Sequence, residues 1–127
     1  MTYGYKRQVA LGYEVAVTRV KEELQKEGFG VLSEINVKDT LKKKLNVEFD
    51  SYVILGACNP PFAYQALQAE SDIGLLMPCN VIVYERDGKT YIAATRPTVT
   101  MSSVNNDKLA PIAVQVEAKL KKAVDSV

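Results

Sequence analysis

Apolar and polar positions change period several times along this chain, and each change marks an element. From Tyr3 to Leu11 the positions Tyr3, Tyr5, Arg7, Val9 and Leu11 share one side, which predicts a strand with Arg7 as the charge interrupting it. Tyr13, Ala16, Val17, Val20 and Leu24 then recur at helical spacing, Glu22 and Lys26 are placed for an i,i+4 pair, and Gly28 supplies a left-handed stop. Phe29 to Val37 alternates as a second strand, with Phe29, Val31, Ser33, Ile35 and Val37 on one side and Gly30, Leu32, Glu34 and Asn36 on the other. Asp39 is placed to cap a short helical turn through Leu45, which Phe49-Asp50-Ser51 ends. Tyr52 to Cys58 is an unbroken β-rich apolar run, the pattern of a strand lying centrally in a sheet.

Asn59-Pro60-Pro61 reads as a helix start. Asn accepts a hydrogen bond from an orphan amide, and Pro in the first turn loses nothing by lacking one. The helix runs from Phe62 to Ala69, and Asp72 to Pro78 is a connection. Asn80 to Glu85 and Lys89 to Thr95 are two strands joined by Arg86-Asp87-Gly88, a tight hairpin whose Asp-Gly suits positive-φ positions. Arg96 to Asn106 reads as a polar loop. Leu109, Ile112, Ala113, Val116, Leu120 and Val124 form the stripe of a last helix, with Pro111 tolerated only in its first turn. No repeat, linker or low-complexity stretch interrupts residues 1–127, so one domain is expected.

The order β-α-β-(α)-β-α-β-β-α predicts an α+β fold with a mainly antiparallel sheet of about five strands and helices packed on one face. The other face must then be polar or be covered by a partner subunit.

Composition narrows the function classes. The chain has 127 residues, 47% hydrophobic and 24% charged, as a folded domain requires. Sixteen Lys and Arg against fifteen Asp and Glu leave a net charge of +1. Nucleic acid is therefore not the expected partner, because binding it draws on a basic surplus. The basic runs Lys42-Lys43-Lys44 and Lys119-Lys121-Lys122 fit solvated helix faces and C-terminal turns. The N-terminus lacks a signal-peptide pattern and no apolar run is long enough to span a bilayer, so no membrane association and a cytoplasmic location are expected.

With no His anywhere, every His-based triad, relay and metal motif is excluded. Two Cys alone fall short of a structural zinc set, and no metal site is expected on that ground. The unusual feature is a pair of Cys-Asn dipeptides beside Pro, Cys58-Asn59-Pro60-Pro61 and Met77-Pro78-Cys79-Asn80. If their strands run antiparallel, both corners lie at one edge of the sheet. A thiol at a helix start can be activated by free amides, but free Cys is also a common space-filler. Glu34 and Asn36 could aim a carboxylate and an amide into a cleft or form a solvated strand face. Lys44 could pair with Glu34 or be one of three solvated lysines. Gly28-Phe29-Gly30 stands in the wrong order for a dinucleotide loop.

Gly28-Phe29-Gly30-Val31-Leu32-Ser33-Glu34-Ile35, Leu55-Gly56-Ala57-Cys58-Asn59-Pro60-Pro61, Ala63, Ala66-Leu67 and Gly74-Leu75-Leu76-Met77-Pro78-Cys79-Asn80-Val81 together resemble the domain of unknown function family numbered 302. That resemblance implies a fold similar in layout to TATA-binding-protein-like domains and a homodimer, with no activity or cofactor assigned. It also implies that Glu34, Asn36, Lys44, Cys58, Asn59, Cys79 and Asn80 fall at positions able to line a shared site. The family usually carries an acidic residue where this chain has Asn36, which weakens a two-carboxylate role there. Three readings stay open: a homodimeric module binding a small ligand or soft ion near the Cys-Asn corners, a thiol-dependent enzyme or redox protein, and an interaction domain without a pocket.

Overall fold

A computed structural model describes every residue from Met1 to Val127. Its strands are β1 (Gly4–Val9), β2 (Gly30–Asn36), β3 (Tyr52–Cys58), β4 (Cys79–Arg86) and β5 (Lys89–Thr95). Its α-helices are α1 (Tyr13–Lys26), α2 (Val37–Leu45), α3 (Pro60–Ala69), α4 (Pro97–Thr100) and α5 (Leu109–Asp125), with 3-10 turns at Ser71–Leu76 and Ser102–Val104. The five strands form one sheet in the order β1-β5-β4-β3-β2. Every neighbouring pair is antiparallel. This is the α+β architecture that the alternation of periods predicts.

The core follows from the register. Val53 lies opposite Val83, Leu55 opposite Val81, and Val83 opposite Ile92, so one face of the three inner strands is continuously apolar. Ala16, Val20 and Leu24 of α1, with Val116, Leu120, Ala123 and Val124 of α5, bury that face. Removing such side chains from water supplies the main driving force of folding, about 25 cal/mol per Å2. Arg7 breaks the alternation of β1 for a local reason. Its guanidinium donates to the carbonyls of Val124 at 3.0 Å and Val127 at 2.9 Å, satisfying acceptors that the end of α5 leaves open.

The hairpin turn is as expected, with Asp87 at φ 53° and Gly88 at φ 73°. Several local expectations are corrected. Lys26 pairs with Glu23, three residues back, at 2.9 Å rather than with Glu22. Asn36, not Asp39, caps α2: its Oδ1 accepts from the Asp39 amide at 3.0 Å. Strand β2 does not alternate strictly, because a bulge between Val31 and Ser33 inserts Leu32 as an extra residue. Val31 therefore faces the helices with Ala57, whereas Ser33 and Ile35 share the other face with Gly56 and Ile54.

The segment read as a polar loop folds as α4 and a 3-10 turn. A tertiary contact organises it. The Glu117 carboxylate accepts from the Thr98 amide at 3.0 Å, the Thr98 hydroxyl at 2.6 Å and Arg96 Nε at 3.2 Å. Burial works to raise the pKa of Glu117, but the Thr98 and Arg96 hydrogen bonds outweigh it and hold the carboxyl below its ordinary value. No helix is long and apolar enough to cross a membrane.

Candidate functional site: the Cys58 and Cys79 corner

Cys58 ends β3 and Cys79 begins β4. The two strands are antiparallel neighbours, and Ala57 stands directly opposite Cys79. Both Cys-Asn corners therefore meet at one end of the sheet. Beneath them lies a cavity of about 40 Å3, lined by Cys58 and Cys79 together with Phe29, Phe62 of α3, Met77, Met101, and Ile112 and Val116 of α5. Twelve of its fifteen lining residues are hydrophobic, and Asn59 is the one side chain with an amide. Two thiols and two thioethers share the wall. That makes it soft and polarisable rather than charged.

Asn59 is 8% exposed, and its role differs from the expected cap. Pro60 and Pro61 occupy the first turn of α3 and lack amide hydrogens, so few donors remain there for the side chain to accept from. Instead Asn59 Nδ2 donates to the Glu27 carbonyl at 3.0 Å, joining the β3–α3 corner to the end of α1. Gly28 makes room for this. It has φ +89°, and a Cβ there would come within 3.2 Å of Asn59 Nδ2.

The other side of the corner is built by Gly56 and Pro78. The Met77–Pro78 peptide is cis. A Cβ on Gly56 would meet the Pro78 ring at 2.8 Å and also strike the Ser33 hydroxyl. Only a residue without a side chain lets the connection pass this close to β3 before Cys79 enters β4.

Burial, and secondarily the neighbouring Cys58, push the Cys79 thiol up from its ordinary value of 9.0 to about 11. Cys79 is thus a neutral thiol near pH 7. Iodoacetamide should alkylate it about 10- to 100-fold more slowly than a free thiol, as its lower thiolate fraction requires. The linkage sign is definite. Between pH 9.0 and about 11 the unfolded chain releases a proton that the folded chain keeps, so this group lowers stability as pH rises through that window. Rapid alkylation of Cys79 at neutral pH, followed by mass spectrometry of its peptide, would contradict the assignment.

The remaining expected site residues lie apart from the cavity lining. Glu34 faces the helix side opposite Leu55 and pairs with Lys21 at 2.8 Å, not with Lys44. Asn36 is the α2 cap. Lys44 is exposed on α2, as the solvated-lysine alternative has it. Asn80 lies opposite Gly56 on the sheet face away from the helices. The structure brings Cys58, Asn59 and Cys79 together and leaves these four elsewhere. Sequence reasoning missed Met77, Met101, Phe29 and Phe62 as cavity walls; only the position of Met77 beside Pro78-Cys79 hinted at one of them.

Comparison with known proteins bears on the architecture. The model of the family described as "Domain of unknown function DUF302" matches residues 5–127. A crystal structure of an uncharacterized conserved DUF302 protein from Bacillus stearothermophilus superposes with a TM-score of 0.93 at 32% identity. That match covers 99% of this chain and 98% of the other. No curated protein matches the chain. A match over nearly the whole length, together with the shared architecture, establishes that the chain belongs to the DUF302 family.

Proposed function

We propose that residues 1–127 form a single-domain cytoplasmic module that binds a small, soft ligand in the Cys58–Cys79 cavity and works as a homodimer. One observation carries the binding reading: both thiols and the thioethers of Met77 and Met101 line one cavity that contains no carboxylate, Lys or Arg. Such a wall favours an uncharged apolar molecule, or a monovalent soft cation that displaces thiol protons. The protein offers no group of three or more His, Cys, Asp or Glu, so a soft ion would depend on the two cysteines with the methionines behind them. The neutral Cys79 thiol weighs against Cys79 itself as a nucleophile, since nucleophiles need thiolate character; in the thiol-enzyme alternative the attacking group is Cys58 at the start of α3.

The test has an ionic and an apolar arm. Reduced protein is titrated with Cu(I) buffered by bathocuproine disulfonate, and crystals are pressurised with xenon. The expected result is one Cu(I) per chain, lost in Cys58→Ser and Cys79→Ser, or a xenon atom inside the cavity. Absence of both refutes the reading.

The dimer rests on a different surface. Leu32 and Leu45 are 71 and 66% exposed on β2 and α2. Helix α2 has nine residues and none is buried, although helices this short draw their stability from packing. Asp39 stands on α2 beside Lys38 and Lys43, charges of both signs that a two-fold contact can pair. Sedimentation equilibrium should give a dimer for the native chain and a monomer for Leu45→Glu. A monomeric native chain at micromolar concentration would contradict it.

A further inference from the structure

The face of the sheet away from α1 and α5 carries three transverse rows set by the register. Gly4, Thr95, Asn80, Gly56 and Ser33 form a small and polar row. Lys6, Ala93, Ile82, Ile54 and Ile35 form a largely apolar one. Tyr91, Tyr84 and Tyr52 form an aromatic one. The tyrosine rings stack across three adjacent strands, with centroids 5.2 Å apart for Tyr52–Tyr84 and 5.2 Å for Tyr84–Tyr91. Phe49 extends the series, 6.3 Å from Tyr52.

Cations converge on the same row. Lys6 Nζ lies 5.4 Å from the centre of the Tyr91 ring and 3.4 Å from the Tyr84 hydroxyl. The Arg86 guanidinium lies 5.9 Å from the Tyr84 ring centre. Lys89 stands opposite Arg86 in the register. No strand residue on this face is Asp or Glu, although the whole chain is almost neutral. The basic bias is therefore local to this face. Between the rows runs a groove of about 480 Å3, with Tyr3, Lys6, Tyr52, Ile82, Tyr84 and Arg86 in its walls.

We propose that this groove is a binding site for a small planar aromatic anion, a heteroaromatic ring carrying a phosphate or carboxylate. The apolar floor and the tyrosines take the ring, and Lys6 with Arg86 takes the charge. The groove volume falls in the range of about 300–1,000 Å3 usual for small-molecule sites. Charge complementarity also disfavours a second copy of the chain on this face. A two-fold contact would set Lys6, Arg86 and Lys89 against their own counterparts with no strand carboxylate to pair them. This site lies across the sheet from the Cys58–Cys79 cavity, and neither proposal depends on the other.

The test uses the full chain with AMP as the aromatic anion, adenosine as the ring without charge, and inorganic phosphate as the charge without a ring. Binding is followed by amide NMR. AMP should saturate and shift signals of Lys6, Ile82, Tyr84 and Arg86 while leaving those of Met77 and Met101 in place. Adenosine and phosphate should each bind about tenfold or more weakly. Tyr84→Leu should weaken AMP by a similar factor, and Lys6→Gln, an exposed and conservative change, should do the same without disturbing the fold. Phosphate binding as well as AMP, shifts confined to the cavity, an oligonucleotide binding far more tightly than AMP, or no saturation at millimolar AMP would each overturn the proposal.

Discussion

Leu55→Ala is expected to lower the unfolding free energy by about 3–5 kcal/mol, a large share of the roughly 5–15 kcal/mol available to a domain of this size. Leu55 has no exposed surface and sits on β3 between the register partners Glu34 and Val81. Its side chain is part of the core that α1 and α5 cover. Truncation removes apolar contact and leaves a void, because the sheet around it is pinned by hydrogen bonds on both edges of the strand. Urea denaturation measures the loss directly. A decrease below about 1 kcal/mol would mean that this position can collapse in a way the packing does not suggest.

Gly56→Ala, one residue along the same strand, acts through crowding instead of emptiness. The added methyl would stand 2.8 Å from Cγ of Pro78. The Ser33 hydroxyl on the other side can rotate away, but the proline ring moves only with the backbone that leads into Cys79. A stability loss of about 1–3 kcal/mol is expected, the usual scale of overpacking. Cys79 should also react faster with iodoacetamide, because shifting Pro78 opens the end of the cavity. The double variant Ser33→Ala/Gly56→Ala separates the two neighbours. If it restores both stability and slow alkylation, the hydroxyl was the obstacle and Pro78 does not hold the corner.

These two adjacent residues illustrate what the chain reveals by itself. The run Tyr52 to Cys58 is legible as a central strand because both of its faces are occupied, whatever occupies them. The Arg86-Asp87-Gly88 turn is legible because positive φ is a local demand. The meeting of the two Cys-Asn corners was conditional on β3 and β4 running antiparallel, and they do.

Other features depended on contacts distant in sequence. The Arg96 to Asn106 segment looks like a loop until Glu117, about two turns into α5, supplies acceptors for Arg96 and Thr98. Asn59 looks like a cap until two prolines remove first-turn donors and its Nδ2 donates instead to the Glu27 carbonyl. The bulge at Leu32 puts Ser33 and Ile35 on the opposite side from Val31, because one extra residue shifts a period of two. The tyrosine row had no signature along the chain, since Tyr52, Tyr84 and Tyr91 become neighbours only through strand order.

Membership of the DUF302 family accounts for the architecture but assigns no chemistry to it. The functional account rests on a soft, sulfur-lined cavity where two corners of the sheet converge. Its most direct test is NMR of protein carrying 13C-methyl methionine, titrated with Cu(I) under reducing conditions. Met77 and Met101 line the cavity, whereas Tyr84 lies on the opposite face of the sheet and serves as the control. The account predicts that both methionine methyl signals move together and saturate at one Cu(I) per chain while the Tyr84 amide stays in place. Stationary Met77 and Met101 signals during saturable Cu(I) binding would place the ion elsewhere and contradict it.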